Sequence, residues 1–320
     1  MKKCKGTVDI MKKVDIIVPC YNEEAVLPMI DLFYQETSKI TSGIDGYEFR
    51  FIFVDDGSRD KTYEKLFALA EKHTDVKFLS FSKNFGKEAA MYAGLVYTEG
   101  DYVIIMDADL QHPPALIPEM LKQVEQGYDC CAARRTSRTG ESKIRSMFSR
   151  MFYRLSNRFT DVDLVQGAVD FRVMSRQMVD SVLELSERQR FSKGIFAWVG
   201  FKTKWIPYEN VERIIGTSKW SFWGLFKYAV DGITAFSVTP LRTVTFLGSI
   251  ISGISFIYIV VTLIQTLLFG IDVPGYVTTL SAVLFLGGII ELSVGILGEY
   301  VAHIYIEIKH RPIFILKNTN

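Results

Sequence analysis

The chain has 320 residues, and 37 Lys and Arg stand against 36 Asp and Glu for a formal charge of +1. That near-zero charge averages a basic middle with a nearly chargeless C-terminal third, which excludes a uniformly basic nucleic-acid binder and leaves room for one large domain or two smaller ones. Four cysteines (Cys4, Cys20, Cys130, Cys131) lack any C-x-x-C spacing and read as buried thiols of a reducing compartment.

The opening residues 1–13, MKKCKGTVDIMKK, have no apolar core of a signal peptide and read as a disordered leader, with Met11 an alternative start. Strand-like VDIIVP (14–19) runs into Tyr21-Asn22-Glu23-Glu24, a loop and helix start that Asn22 is expected to cap. A second strand, Phe49–Val54, ends in Asp55-Asp56-Gly57-Ser58 and leads to a helix over 62–72. The third, Val76–Phe81, is followed by the loop Ser82-Lys83-Asn84-Phe85-Gly86-Lys87 and a helix near 88–97. The fourth, Tyr102–Met106, ends on Asp107 and Asp109, with Gln111 close behind. Alternating strands and helices predict an α/β fold with a mostly parallel sheet, in which ligands sit outside the carboxyl ends of the strands. Each of the four ends is polar, which favours a binding edge over ordinary loops. Paired carboxylates at a strand end suit Mg²⁺ or Mn²⁺ carrying a diphosphate, and Gln111 adds a neutral oxygen. Neither a dinucleotide fingerprint nor a P-loop is present.

Arg134–Arg158 holds eight Lys or Arg against the single acid Glu141, with Ile144, Met147, Phe148, Met151, Phe152, Leu155 and Phe159 at helical spacing. Core packing behind a solvated face is the ordinary reading of such a helix, and the long apolar segments downstream favour a membrane-surface helix. Thr243–Ile271 is 29 residues without a charge, enough to cross a hydrocarbon core of ~30 Å. A second uncharged run, Val273–Ile290, continues past Glu291, and GIDVPGY joins the two into a hairpin. Lys227, Arg242, Lys309, Arg311 and Lys317 flank the outer ends, which predicts a multi-pass cytoplasmic-membrane protein with both termini cytoplasmic. Glu291 is expected to face a helix–helix or subunit contact, which makes the hairpin a candidate homo-oligomer interface. The expected domains are the leader 1–13, a catalytic domain 14–217, an interfacial segment 218–240 rich in Trp and Phe, a hairpin 241–302 and a tail 303–320.

Taken together, VPCYNEE (18–24), VDDGSRD (54–60), NFGKEAAMYAGL (84–95), MDADLQHPP (106–114), VDFRVMSR (169–176), RFSKGIFAWVGF (190–201), GTSKW (216–220) and ILGEYVAHIYIEIKHRP (296–312) resemble a known family. They look like the membrane-anchored polyprenyl-phosphate glycosyltransferases of glycosyltransferase family two, relatives of dolichyl-phosphate mannose synthase and most like the bactoprenol glucosyltransferase type. The resemblance implies a GT-A catalytic domain, a nucleotide-sugar donor with UDP-glucose favoured, a divalent cation and a polyprenyl-phosphate acceptor. It implies that Pro19, Tyr21, Asn22, Glu23, Asp55, Lys83, Gly86 and Lys87 line the nucleotide pocket and that Asp107, Asp109 and Gln111 hold metal and diphosphate. It places Arg134, Arg145 and Ser149 at the acceptor phosphate, and Arg213 and Lys219 on a basic segment that closes over the phosphates. The stretch 165–169 departs from the family pattern at the sugar pocket, and His303 stands where an arginine is expected. Two rivals are a processive polysaccharide synthase and a non-catalytic scaffold that partners a lipid-sugar flippase. No tryptophan follows an arginine as the first would require, and the acids are intact against the second.

Overall fold

Val14, Ile16, Ile17 and Val18 are all fully buried, so the first strand is apolar on both faces and has to lie inside a covered sheet. The computed structural model describes residues 11–23, 28–136, 162–188, 190–209, 237–269 and 275–320, with Asn157 and Thr234. In chain order the elements are β1 (Lys12–Cys20), α1 (Pro28–Thr41), β2 (Tyr47–Asp55), α2 (Thr62–Lys72), β3 (Val76–Phe81), α3 (Lys87–Val96) and β4 (Tyr102–Ile105). There follow α4 (Ile117–Glu125), β5 (Cys130–Arg135), β6 (Ala168–Ser175), α5 (Arg176–Glu184), α6 (Ser192–Trp198), β7 (Thr203–Tyr208), α7 (Thr239–Phe269), α8 (Tyr276–Ile308) and β8 (Leu316–Thr319).

The eight strands form one sheet in the order β7-β5-β6-β4-β1-β2-β3-β8. The first four strands are parallel where they meet, as expected, while β6 runs antiparallel between β4 and β5 and β8 runs antiparallel along β3. One face is covered by α1, α2 and α4 through Phe33, Leu66, Met120 and Val124. The other is covered by α3, α5 and α6 through Ala90, Met178, Val179 and Ile195. Helix α3 lies so close to β1 that a Cβ on Gly94 would fall 2.3 Å from Ile17 Cγ2, so a bare Cα is required there.

Three differences from the sequence expectations have physical reasons. Asn22 does not cap a helix: it takes the left-handed conformation at φ +50°, Glu23 after it is not helical, and its Oδ1 accepts the Arg59 amide. Helix α8 continues to Ile308, because no glycine or proline interrupts 303–308 and the first helix breaker after the apolar run is Pro312. The polar end of the chain forms β8, a strand that its composition does not announce. Of the leader expected over 1–13, residues 1–10 lie outside the described residues, while Lys12 and Lys13 already belong to β1, where they pair with Tyr47 and Glu48. Most of the basic helix and of the aromatic segment 218–236 also lies outside the described residues.

Helices α7 and α8, of 31 and 33 residues, are long and apolar enough to cross a membrane by length and composition. Their side chains are largely exposed, Phe256 at 68% and Leu292 at 66%, which an aqueous surface would disfavour. Glu291 is exposed on α8.

Near the amino ends of the central strands, buried Asp15 accepts from Arg50 Nε (2.8 Å) and Nη2 (2.9 Å) and from the amides of Glu99 (2.7 Å) and Gly100 (2.8 Å). This carboxylate ties β1, β2 and the turn before β4 together. Asp15→Ala should cost about 3 kcal/mol, the low end for a broken buried pair because Arg50 is partly solvated. Denaturation of the detergent-solubilised chain measures it.

Candidate active site

The parallel register assembles the site. Cys20 pairs with Asp55 and Asp55 with Ser80, while Ile17 pairs with Ile105, so the chain leaves β1, β2, β3 and β4 along one edge. Pro19, Tyr21, Asn22, Glu23, Asp55, Asp107 and Asp109 all lie at that edge or in the loops leaving it. Arg134 reaches the same edge at the end of β5, where its Nε donates to the Gln166 carbonyl at 3.0 Å. Arg145, Ser149, Arg213 and Lys219 lie outside the described residues.

Two buried acids organise the edge after β2. Asp55 accepts the Ser80 hydroxyl at 2.8 Å and the Ser58 amide at 3.0 Å. Asp56 fastens the β3–α3 loop, accepting Asn84 Nδ2 at 2.8 Å, the Phe85 amide at 2.7 Å and the Gly86 amide at 2.9 Å. Burial pushes the Asp56 carboxyl up to about 6, and the Phe85 and Gly86 amides act against that rise. Gly57, at φ +65°, has no room for a Cβ, which would stand 2.2 Å from the Lys83 carbonyl carbon. Lys83 itself is exposed, its ammonium 5.0 Å from the centre of the Phe85 ring.

The acids after β4 are organised differently. Lys87, the first residue of α3, places its ammonium 2.7 Å from Asp107 Oδ1 and 2.6 Å from Asp170 Oδ2. Burial disfavours charge on all three, yet their mutual attraction prevails: both carboxyls lie below the usual range and the ammonium above its own. Asp109 Oδ1 accepts the Gln111 amide at 3.1 Å across Leu110, which is left-handed at φ +55°. His112 is buried, its ring stacked on Phe171 at 5.4 Å, and its Nδ1 accepts the Asp107 amide at 3.2 Å. Burial holds that imidazole below its ordinary pKa, in the neutral form that leaves Nδ1 free to accept.

Ser80, His112 and the Lys87–Asp170 contact are absent from the sequence expectations. His112 is only five residues from Asp107, but no spacing rule links a carboxylate amide to an imidazole. Asp170 is 83 residues from Lys87, so only the antiparallel insertion of β6 beside β4 brings them together. Val165 and Ala168 line a cavity of about 280 Å³ with Leu164, Arg172, Lys193, Phe196 and Trp205. Arg172 stacks on Phe196 at 3.9 Å and donates to the Asp170 and Val169 carbonyls. Among the described residues no three His, Cys, Asp or Glu side chains converge on one point as a metal site. Asp107 and Asp109 offer hard carboxylate oxygens at the edge, which fits a divalent cation whose remaining ligands come from an amide oxygen and a diphosphate.

His112→Ala should leave the buried Asp107 amide unpaired, at about 1–3 kcal/mol. Steady-state kinetics should show turnover falling roughly tenfold or more, with His112→Asn recovering part of it.

Comparison with known proteins bears on this geometry. The family model described as Glycosyl transferase family 2 matches residues 15–183, and that of the GtrB C-terminal hairpin matches residues 239–304. The chain is 48% identical over 307 residues to CsbB of Bacillus subtilis (strain 168), covering 96% of this chain and 92% of that one. It is 40% identical over 306 residues to the bactoprenol glucosyl transferase of Shigella phage SfV, covering 96% and 98%. Among solved structures, glucosyl-3-phosphoglycerate synthase from Mycobacterium tuberculosis with Mn²⁺ and UDP-glucose is 18% identical, with TM-score 0.47 over 70% of this chain and 78% of that one.

Proposed function

The chain belongs to glycosyltransferase family 2, with a GT-A catalytic domain and a C-terminal two-helix hairpin, and we propose that it transfers a sugar from a nucleotide sugar to the phosphate of a polyprenyl lipid. One observation carries this reading: Asp55, Asp107 and Asp109 stand at one carboxyl edge of a sheet whose chain also carries two membrane-length apolar helices. The acceptor type follows the bactoprenol glucosyl transferases that the chain resembles over nearly its whole length. UDP-glucose is the favoured donor, ahead of UDP-N-acetylglucosamine and GDP-mannose. The positive flanks of the hairpin support a cell-membrane protein with the catalytic domain and both termini on the cytoplasmic side.

The chemistry follows from charge. A phosphate monoester has a second pKa of about 6, so the attacking oxygen is ionised at neutral pH and needs no strong general base. The protein has instead to hold two anions together. Asp55 and the loop fastened by Asp56 form the nucleotide side of the edge. A Mg²⁺ or Mn²⁺ ion held by Asp107, Asp109 and Gln111 supplies Lewis-acid stabilisation of the departing diphosphate when bound. Lys87 keeps Asp107 ionised and aimed, and links it to Asp170, whose carbonyl accepts from Arg172 of the cavity wall. Arg134 and Arg145, with Ser149, are assigned to the acceptor phosphate, and Arg213 and Lys219 to closure over the phosphates. In-line attack at the anomeric carbon inverts it, so an α-linked donor gives a β-linked lipid phosphate sugar.

The direct experiment offers membranes carrying the protein a panel of radiolabelled sugar nucleotides with undecaprenyl phosphate. Label entering the lipid phase from one donor supports the reading, and none from any donor overturns it. Asp107→Asn and Asp109→Ala should each remove most transfer while the protein stays folded and membrane-bound. Activity in EDTA equal to that in Mg²⁺ or Mn²⁺ would contradict the metal assignment.

An arginine can grip a phosphate with two parallel hydrogen bonds, which lysine cannot reproduce. Arg145→Lys should therefore raise the apparent KM for polyprenyl phosphate far more than that for the sugar nucleotide. The loss of one charge-assisted contact corresponds to ~1.5–3 kcal/mol, about tenfold to a hundredfold. Arg154→Lys should have little effect, and equal losses at both positions would indicate a diffuse basic surface.

A further inference from the structure

We infer that the C-terminal tail, through Phe314 and β8, is a positioning element for the donor-binding loop between β3 and α3. The inference rests on the nucleotide-sugar reading of the edge that holds Asp55 and Asp56.

The tail leaves α8 at a fixed point. The Arg188 amide donates to Glu307 Oε2 at 3.1 Å, and its guanidinium donates to the Arg311 carbonyl. The chain then runs along the edge of the sheet beside β3. Thr319 pairs with Leu79, Asn318 with Ser80 and Leu316 with Phe81, with an irregularity between Ser80 and Phe81. Ser80 is the residue whose hydroxyl holds Asp55, so the new strand lies directly against a donor-side support. One residue past β3, the Ser82 amide donates to the Ile315 carbonyl at 2.9 Å. This bond stands at the root of the loop that Asp56 fastens at its far end through Asn84, Phe85 and Gly86.

Aromatic contacts repeat the arrangement. Phe314 stacks on Phe81 with centroids 5.2 Å apart and planes 14° apart, and meets Tyr92 of α3 edge-on at 6.4 Å. Phe81 in turn meets Phe85 of the loop edge-on at 5.7 Å. A chain of three rings thus runs from the tail to the residue whose amide binds Asp56. Losing Phe314 removes the outer ring and loosens the Ser82 anchor beside it. The end of the strand is held separately, by Asn318 on Tyr63 at 2.7 Å and Asn320 on the Phe78 amide at 2.7 Å. Local disturbance at Phe314 therefore leaves the rest of the tail fastened.

The test uses the full-length protein in detergent. UDP binding in the presence of Mn²⁺ is measured by calorimetry, and apparent KM is measured separately for sugar nucleotide and polyprenyl phosphate. Phe314→Ala should weaken UDP binding and raise the sugar-nucleotide KM by about three- to tenfold, the range of one aromatic pair. The lipid KM and kcat should stay within about twofold of the starting protein. Phe314→Tyr keeps the ring and should restore nucleotide affinity, and Lys317→Ala, outside this contact, should leave it unchanged. Should Phe314→Ala fail to fold, Phe314→Leu keeps apolar volume without the stack and carries the same comparison. Unaltered nucleotide affinity, or equal losses for both substrates together with a lowered melting temperature, would overturn the inference. If the unsubstituted protein bound no nucleoside diphosphate, the functional reading itself would fall and this inference with it; normal binding with an indifferent Phe314→Ala would remove the inference alone.

Discussion

The ammonium of Lys87 between Asp107 and Asp170 is the contact on which the geometry of the edge depends. It joins three elements that the chain brings together late: the end of β4, the first turn of α3 and the start of β6. Burial and the charge of Asp170 both act to raise the Asp107 pKa. With the lysine between them both carboxyls lie below the usual range, so Asp107 stands at the edge as a full negative charge. The same lysine fixes the rotation of α3, whose next residue, Glu88, accepts both the amide and the hydroxyl of Ser192 at the start of α6. Parallel and antiparallel halves of the sheet are thereby clamped across the site.

Much of this is legible in the sequence, and the reason is local. Strands β1 to β4 are short apolar runs that end on polar residues, and the helix expected over 62–72 is α2. A strand buried on both faces carries a signal that needs no partner to be recognised. The site acids are legible for the same cause, since each lies within two or three residues of a strand's last apolar position. What stays hidden depends on contacts between distant residues. Nothing near Asp170 points to Lys87, and nothing in LKNT points to a strand. Asn22 has the composition of a cap, yet the turn after β1 needs a left-handed residue whose side chain reaches Arg59. Tertiary demand overrides local preference there, as it does at strained sites next to function.

The hairpin and the catalytic domain are joined twice. The first connection enters α7, where the Tyr300 hydroxyl of α8 donates to the Ser237 carbonyl at 2.6 Å. The second is the tail that leaves α8 and ends as β8. A single flexible link would let a catalytic domain wander relative to an apolar anchor. A tail paired into the sheet restricts that freedom, which suits the proposed transfer to a lipid phosphate confined to a surface.

Asp56 indicates how strongly the loop between β3 and α3 is specified. Its carboxyl is pushed up to about 6 by burial, above an unfolded value of about 3.9. A raised folded pKa favours the folded state below the unfolded value, and that advantage is lost as pH rises through about 6. At neutral pH this ion is therefore a net cost of about 3 kcal/mol relative to a freely solvated carboxylate. An apolar residue would avoid that cost but would leave the Phe85 and Gly86 amides and the Asn84 side chain without their acceptor. Those groups lie in the loop that begins at Ser82, where the tail attaches, and ends at Lys87, which reaches Asp107. One buried charge thus fixes the path of six residues between the two sides of the edge. The fold retains a locally unfavourable ion because the position of that loop, rather than the stability of the turn, is what the site requires.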